Sequence, residues 1–141
     1  MNTTYKRSLI TMILFGILFF YIVISFAIIG PEEYLTTTIN TAINAIVVGM
    51  VMIGFGITML ITNKKSKVID ERDLIIQKKA TSIGMMLTAM FVFIISMFIF
   101  VSNESTGLVY VSWMWVIAYG TFAFSYFITS TIMIVLFNKD E

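Results

Sequence analysis

The chain has 141 residues, with nine Lys and Arg against eight Asp and Glu, no His and no Cys; 59% of its positions are apolar and only 12% are charged. A soluble domain is typically about 45–50% apolar and about 25% charged, so a water-soluble globule of this composition has too few polar groups to cover its surface. The net charge of +1 excludes the broad basic field of a nucleic-acid binder, and the missing His and Cys exclude disulfides, thiolate nucleophiles, imidazole bases and the usual zinc and haem ligands.

Four long uncharged stretches follow one another along the chain. Residues 9–29 are interrupted only by Thr11, Gly16, Tyr21 and Ser25, and about 21 residues make roughly 31 Å of helix, enough to cross a bilayer. Lys6 and Arg7 before this run and Ser25-Phe26-Ala27 near its end resemble a cleavable signal, but a signal's apolar region is only about 7–15 residues. Residues 39–61 form a second run, 83–101 a third and 108–137 a fourth. The fourth, at about 30 residues, exceeds the hydrocarbon thickness and has to tilt or extend beyond it. Backbone groups in lipid need partners within their own segment, which for four separate runs means helices. The expected fold class is all-α: a polytopic membrane protein of one domain, 1–141, with four transmembrane helices as two antiparallel hairpins. Its spans lie at about 9–29, 39–61, 81–101 and 110–136, joined by a connection at 62–80.

The charges sort by loop. Lys6 and Arg7 precede the first span, Lys64, Lys65, Lys67, Arg72, Lys78 and Lys79 occupy the central connection with Asp70, Glu71 and Asp73, and Lys139 ends the chain beside Asp140 and Glu141. The other two loops hold Glu32, Glu33 and Glu104 and no base. Short loops rich in Lys and Arg stay in the cytoplasm, so the expected location is the cytoplasmic membrane with both termini and the central connection inside. Tyr5, Tyr34, Tyr110, Trp113 and Trp115 fall at the expected interfaces, where amphipathic rings favour the headgroup level.

Small residues recur at Ala42, Ala45, Gly49 and Gly56 of the second span, and at Ser82, Ala89 and Ser96 of the third. Such stripes let helix backbones approach closely, and they point to a tight antiparallel pairing of helices 2 and 3, or to a homodimer. On that reading Gly49→Leu is expected to disturb assembly.

The central connection carries the most specific signal. Asp70 has the place of an N-cap, Asp73 stands three residues on, and Ile69 can staple onto Leu74. With no breaker before Gly84, the helix is expected to run on into the third span. The sequence Asp70-Glu71-Arg72-Asp73, followed by Ile76, Lys79 and Ala80 before a span, resembles a family of small prokaryotic multi-spanning membrane proteins of unknown function, DUF2178. That resemblance implies a bacterial or archaeal membrane protein and brings no activity, cofactor or catalytic residue with it. Capping explains Asp70 and Asp73, whereas the consecutive Glu71 and Arg72 also fit a contact in which Asp70, Glu71, Arg72 and Asp73 meet a partner's charges.

No Asp, Glu, Lys or Arg lies within a span, which weakens a pump or antiporter, because ion coupling ordinarily uses intramembrane ionisable groups. Asn40 and Asn44 share a face of helix 2, and Tyr119 and Tyr126, with Ala123 and Ser130, form a stripe on helix 4; these groups fit interhelical hydrogen bonds or a midplane pocket. Met86, Met90 and Met97 could line a soft-metal path, but Met is more often an adaptable apolar filler. The expectation is a non-enzymatic protein without cofactor, whose partners are the bilayer and a membrane or cytoplasmic protein or a second copy. It would act as an accessory, immunity-type or signalling subunit; the alternative is a small oligomeric facilitator or exporter.

Overall fold

The computed structural model describes residues 3–65 and 71–139. Four helices follow in order: α1 Thr3–Ile29, α2 Thr38–Lys65, α3 Glu71–Asn103 and α4 Val111–Lys139. At 1.5 Å per residue each is about 40–50 Å long, and each is long and apolar enough to cross a membrane. The protein is a multi-pass, all-helical membrane protein. One end of the bundle carries both chain termini and the α2–α3 connection, and is called here the terminal end. The other carries the two short loops, 30–37 and 104–110, and is called the loop end.

Glycine stops two of the helices. Gly30 and Gly107 take left-handed backbones, with φ of 84° and 66°, and their N–H groups donate to the carbonyls of Phe26 and Asn103 at 2.9 Å. Only glycine adopts this cap without a Cβ penalty. Pro31, which follows the first cap, cannot continue a helix. The two loops then bind each other: the Tyr110 hydroxyl donates to Glu32 Oε1 at 2.5 Å, and the Ser112 hydroxyl donates to the Pro31 carbonyl at 2.5 Å.

The helices lie in the order α2, α1, α4, α3, with packing between α1 and α4, α3 and α4, and α1 and α2. Phe15, Leu18, Ile22 and Phe26 recur at helical spacing along α1 and are buried, forming the principal core with Val116 and Ala123 of α4, Val51 of α2 and Tyr34. A second cluster at the terminal end joins Ile76 and Ala80 of α3 to Met133 and Phe137 of α4, with Tyr5 against them. Between the two lies an aromatic junction: Phe91 of α3 stacks on Phe124 of α4 at 4.3 Å, and Phe19 of α1 lies 5.6 Å from Phe91 and 5.3 Å from Phe124.

The small-residue seams do not mark these contacts. Helices α2 and α3 occupy opposite ends of the row and share no substantial packing among the described residues, so the antiparallel pairing expected from their seams does not form within the chain. Ala42, Ala45, Ser82, Ala89 and Ser96 are exposed, and nothing lies within 4 Å of a Cβ built at Gly49 or Gly56. The reason is the face that α4 selects. Ala80 and Gly84 are the buried small residues of α3, and Ser82 stands two positions from Gly84, about 200° around the helix. At Gly84 the approach is so close that an added Cβ would lie 3.2 Å from the Thr129 Cα and overlap its hydroxyl.

Gly84→Leu is therefore expected to lower the melting temperature in detergent, with an overpacking cost of about 1–3 kcal/mol. Gly49→Leu should leave it unchanged. A thermal melt followed by circular dichroism tests the pair, and equal melting of the two variants would refute the α3–α4 contact.

Candidate functional site

The terminal end of the bundle does not close. Helices α2 and α3 stand apart, with α1 and α4 between them, and the space enclosed is a cavity of about 390 Å³ lined by all four helices. Helical periodicity explains the lining. On α1, Thr3 and Thr4, Arg7 and Ser8, and Thr11 recur three to four residues apart and bring four hydroxyls and a guanidinium to one face. On α3, Gln77, Thr81 and Met85 lie four residues apart, and on α4 Ser125, Thr129 and Met133 do the same, with Tyr126 and Ser130 beside them. Helix α2 adds Phe55, Met59 and Thr62. From Thr3 to Thr11 the cavity spans eight residues of α1, a depth of about 12 Å.

Its floor is aromatic. Tyr126 stacks on Phe15 at 4.7 Å with the rings 20° from parallel and meets Phe55 edge-on at 5.2 Å. Its walls are polar and only partly self-satisfied. The Ser8 hydroxyl lies 2.9 Å from the Thr4 carbonyl and 2.8 Å from Met133 Sδ, and Thr62 donates to the Thr58 carbonyl at 2.7 Å. Thr11 and Ser130 are 5% and 7% exposed, yet no hydrogen bond from their hydroxyls is formed among the described residues. Among the described residues Arg7 is the single charged residue of the lining; it is half-buried and forms no ion pair with another of them.

Asp73 controls the rim. It is 5% exposed and accepts a hydrogen bond from the Thr4 hydroxyl at 2.9 Å, which fastens the start of α3 to the start of α1. The candidate contact motif is thereby divided. Asp73 points inward, Glu71 and Arg72 are exposed in the first turn of α3, and Asp70, with its expected cap, lies outside the described residues.

The intramembrane polar residues also separate. Tyr126 belongs to the cavity, whereas Tyr119 is 40% exposed and lies 4.7 Å from Trp115. Asn44 belongs to a network at the loop end: it is 3% exposed, and its Oδ1 accepts from the Tyr21 hydroxyl at 2.9 Å and from Tyr34 at 3.3 Å. Ser25 and Tyr34 hydroxyls are 3.1 Å apart. The Asn44 Nδ2 is buried without a partner, and Asn40, one turn away, is half-buried.

Reading the sequence span by span missed the residues that build the cavity: Arg7, Thr11, Gln77, Thr81, Ser125 and Thr129. The signal was present as a coincidence of depth, since hydroxyls and amides recur at helical spacing in the same third of three helices. Each helix alone shows only a polar fringe.

Asn44→Leu keeps a branched side chain but strands the Tyr21 hydroxyl and leaves Tyr34 with Ser25 alone. It is expected to cost about 1 kcal/mol, within the range measured for hydrogen bonds between membrane helices, while Asn40→Leu stays near zero. Chemical or thermal unfolding in detergent measures the difference. No family model, curated protein or solved structure matches the chain.

Proposed function

We propose that the chain is a non-enzymatic accessory, immunity-type or signalling subunit of the cytoplasmic membrane, acting by association through its cytoplasmic end. On this reading both termini and the α2–α3 connection are cytoplasmic, in keeping with a sequence whose nine bases all fall in the terminal segments and the central connection and whose two other loops carry Glu32, Glu33 and Glu104. The resemblance of Asp70-Glu71-Arg72-Asp73 to a prokaryotic membrane family supports the same setting.

One observation carries the reading. All the charges of α3 fall in its first ten residues, before its apolar run, and they divide by role: Asp73 is buried and tied to Thr4, while Glu71 and Arg72 are exposed. Capping and packing account for Asp73 and leave the exposed pair free to meet opposite charges on a partner. Arginine is suited to this because its planar fork binds carboxylates bidentately.

The cavity favours a second reading, a small oligomeric facilitator or exporter, since it brings polar groups from all four helices into the membrane. The aromatic floor of Phe15, Phe55 and Tyr126 closes it within one chain, so a pathway would have to be completed by assembly.

Orientation is tested with single cysteines in a chain that has none of its own. Lys78→Cys is expected to resist a membrane-impermeant maleimide in intact cells and Ser102→Cys to react, and the reverse pattern would invert the topology. Photo-crosslinking from positions 71 and 74 in native membranes tests function. Capture of a distinct protein at both supports an accessory subunit, capture of a second copy supports the oligomeric reading, and recovery of lipid alone at both counts against association through this end.

A further inference from the structure

We propose that the terminal-end cavity binds the phosphate headgroup of an anionic phospholipid from the adjacent leaflet, with Arg7 as its counter-charge. The proposal rests on the cytoplasmic orientation above only for which leaflet supplies the lipid.

Charge decides the sign of the ligand. Arg7 lines the cavity, is half-buried and has no ion pair among the described residues, and a partly desolvated guanidinium is costly unless an anion and hydrogen-bond acceptors complete its shell. The acid nearest the rim, Asp73, accepts the Thr4 hydroxyl and is not part of the lining. Among the described residues of the lining a cation would meet Arg7 and no carboxylate. An anion would meet the guanidinium together with donors already in place. Thr11 and Ser130 are buried residues whose hydroxyls form no hydrogen bond among the described residues, and Gln77 and Thr81 of α3 line the same cavity. Tetrahedral phosphate, with several acceptor oxygens, matches a fork donor ringed by hydroxyls arriving from different directions.

Depth and shape select the lipid over a free anion. Arg7 stands two residues before the apolar run at 9–29, Gln77 and Thr81 just before the run at 83–101, and Thr62 just after 39–61, so three helices place the polar rim of the cavity at the headgroup level, with Thr11, Ser125, Thr129 and Ser130 lining it deeper. A volume of about 390 Å³ accepts a small molecule but not two acyl chains. The chains have an exit, because α2 and α3 are not packed together, and the cavity walls on these two helices carry Met59 and Met85, adaptable apolar side chains. Anionic lipid concentrated in the cytoplasmic leaflet would dock sideways with its tails left in the bilayer.

The test uses the purified full chain in neutral detergent, titrated with phosphatidylglycerol, phosphatidylcholine or inorganic phosphate, and read by native mass spectrometry and melting temperature. The expected result is binding of phosphatidylglycerol at least about tenfold tighter than phosphatidylcholine, lost in Arg7→Gln on the scale of one charge-assisted hydrogen bond. Ser125→Leu, which fills the cavity without touching charge, should weaken it as well. Lys6→Gln removes the same charge from an exposed neighbour outside the lining and should leave binding intact. Equal loss in Lys6→Gln and Arg7→Gln would overturn the site in favour of diffuse surface attraction, and no preference between the two lipids would overturn recognition of an anion by Arg7. Inorganic phosphate binding with the same Arg7 dependence while phosphatidylglycerol does not would overturn the lipid as its source. Micelles have no sidedness, so failure here leaves the cysteine topology result standing, and an inverted topology leaves binding unaffected.

Discussion

The fold depends on how closely α4 can be approached from two sides. In lipid there is no hydrophobic gain from bringing apolar helices together, so association rests on packing and on a few polar pairs. Helix α4 meets this requirement with small residues at its buried positions, Ser112, Gly120, Ala123 and Ser130. Toward α1 these make room for large side chains, and Phe15, Leu18, Ile22 and Phe26 fill it. Toward α3 the small residue is on the other helix, where Gly84 rests against Thr129. Helix α2 has no comparable partner beyond α1, and only 6% of its apolar window is buried against 28% for α1 and α4.

The site follows from that row. Placing α1 and α4 side by side separates α2 from α3 by the width of the central pair, and whether the gap between them fills depends on side-chain size. At the loop end it is filled by Tyr34, which is fully buried against Phe26 and Trp115, and by Trp113, which packs on Phe26 at 4.6 Å. At the terminal end Thr, Ser and Gln residues line the space together with Arg7, three methionines and the aromatic rings of Phe55 and Tyr126, and a cavity remains among them. The aromatic layer between them keeps the Asn44 network and the hydroxyl-lined cavity as two separate polar systems.

Much of this was legible in the sequence because it depends on quantities that add along the chain. Apolar run length predicts the four helices, whereas the glycine stops at Gly30 and Gly107 emerge only from the backbone. Which face of each helix is used is not additive. Ser82, Ala89 and Ser96 repeat at intervals of seven and read as a seam as well as Ala80 and Gly84 do, and α3 alone contains nothing to prefer one. The choice is made by α4, whose Met133 and Phe137 pack against Ile76 and Ala80. The cavity was hidden for a related reason: a hydroxyl in a transmembrane helix has an ordinary use in bonding its own i−4 carbonyl, as Thr58, Thr88 and Thr131 do here. Only the assembled bundle distinguishes those from Thr11 and Ser130, whose hydroxyls reach a shared space.

The remaining link joins the cavity to the α3 extension. Thr4 lines the rim and binds Asp73, and Asp73 lies one and two residues from the exposed Arg72 and Glu71. The exposed pair is thus adjacent in sequence to a buried carboxylate that accepts a hydrogen bond from a residue of the cavity lining. Helix α3 is also anchored on α4 by Ile76 and Ala80, by Gly84 against Thr129 and by Phe91 stacked on Phe124, and Asp73, Gln77 and Thr81 belong to this one helix. The exposed pair proposed to meet a partner and the Gln77 and Thr81 of the proposed lipid site belong to one helix, and two ligands alter each other's affinity only where each favours a different placement of the element they share.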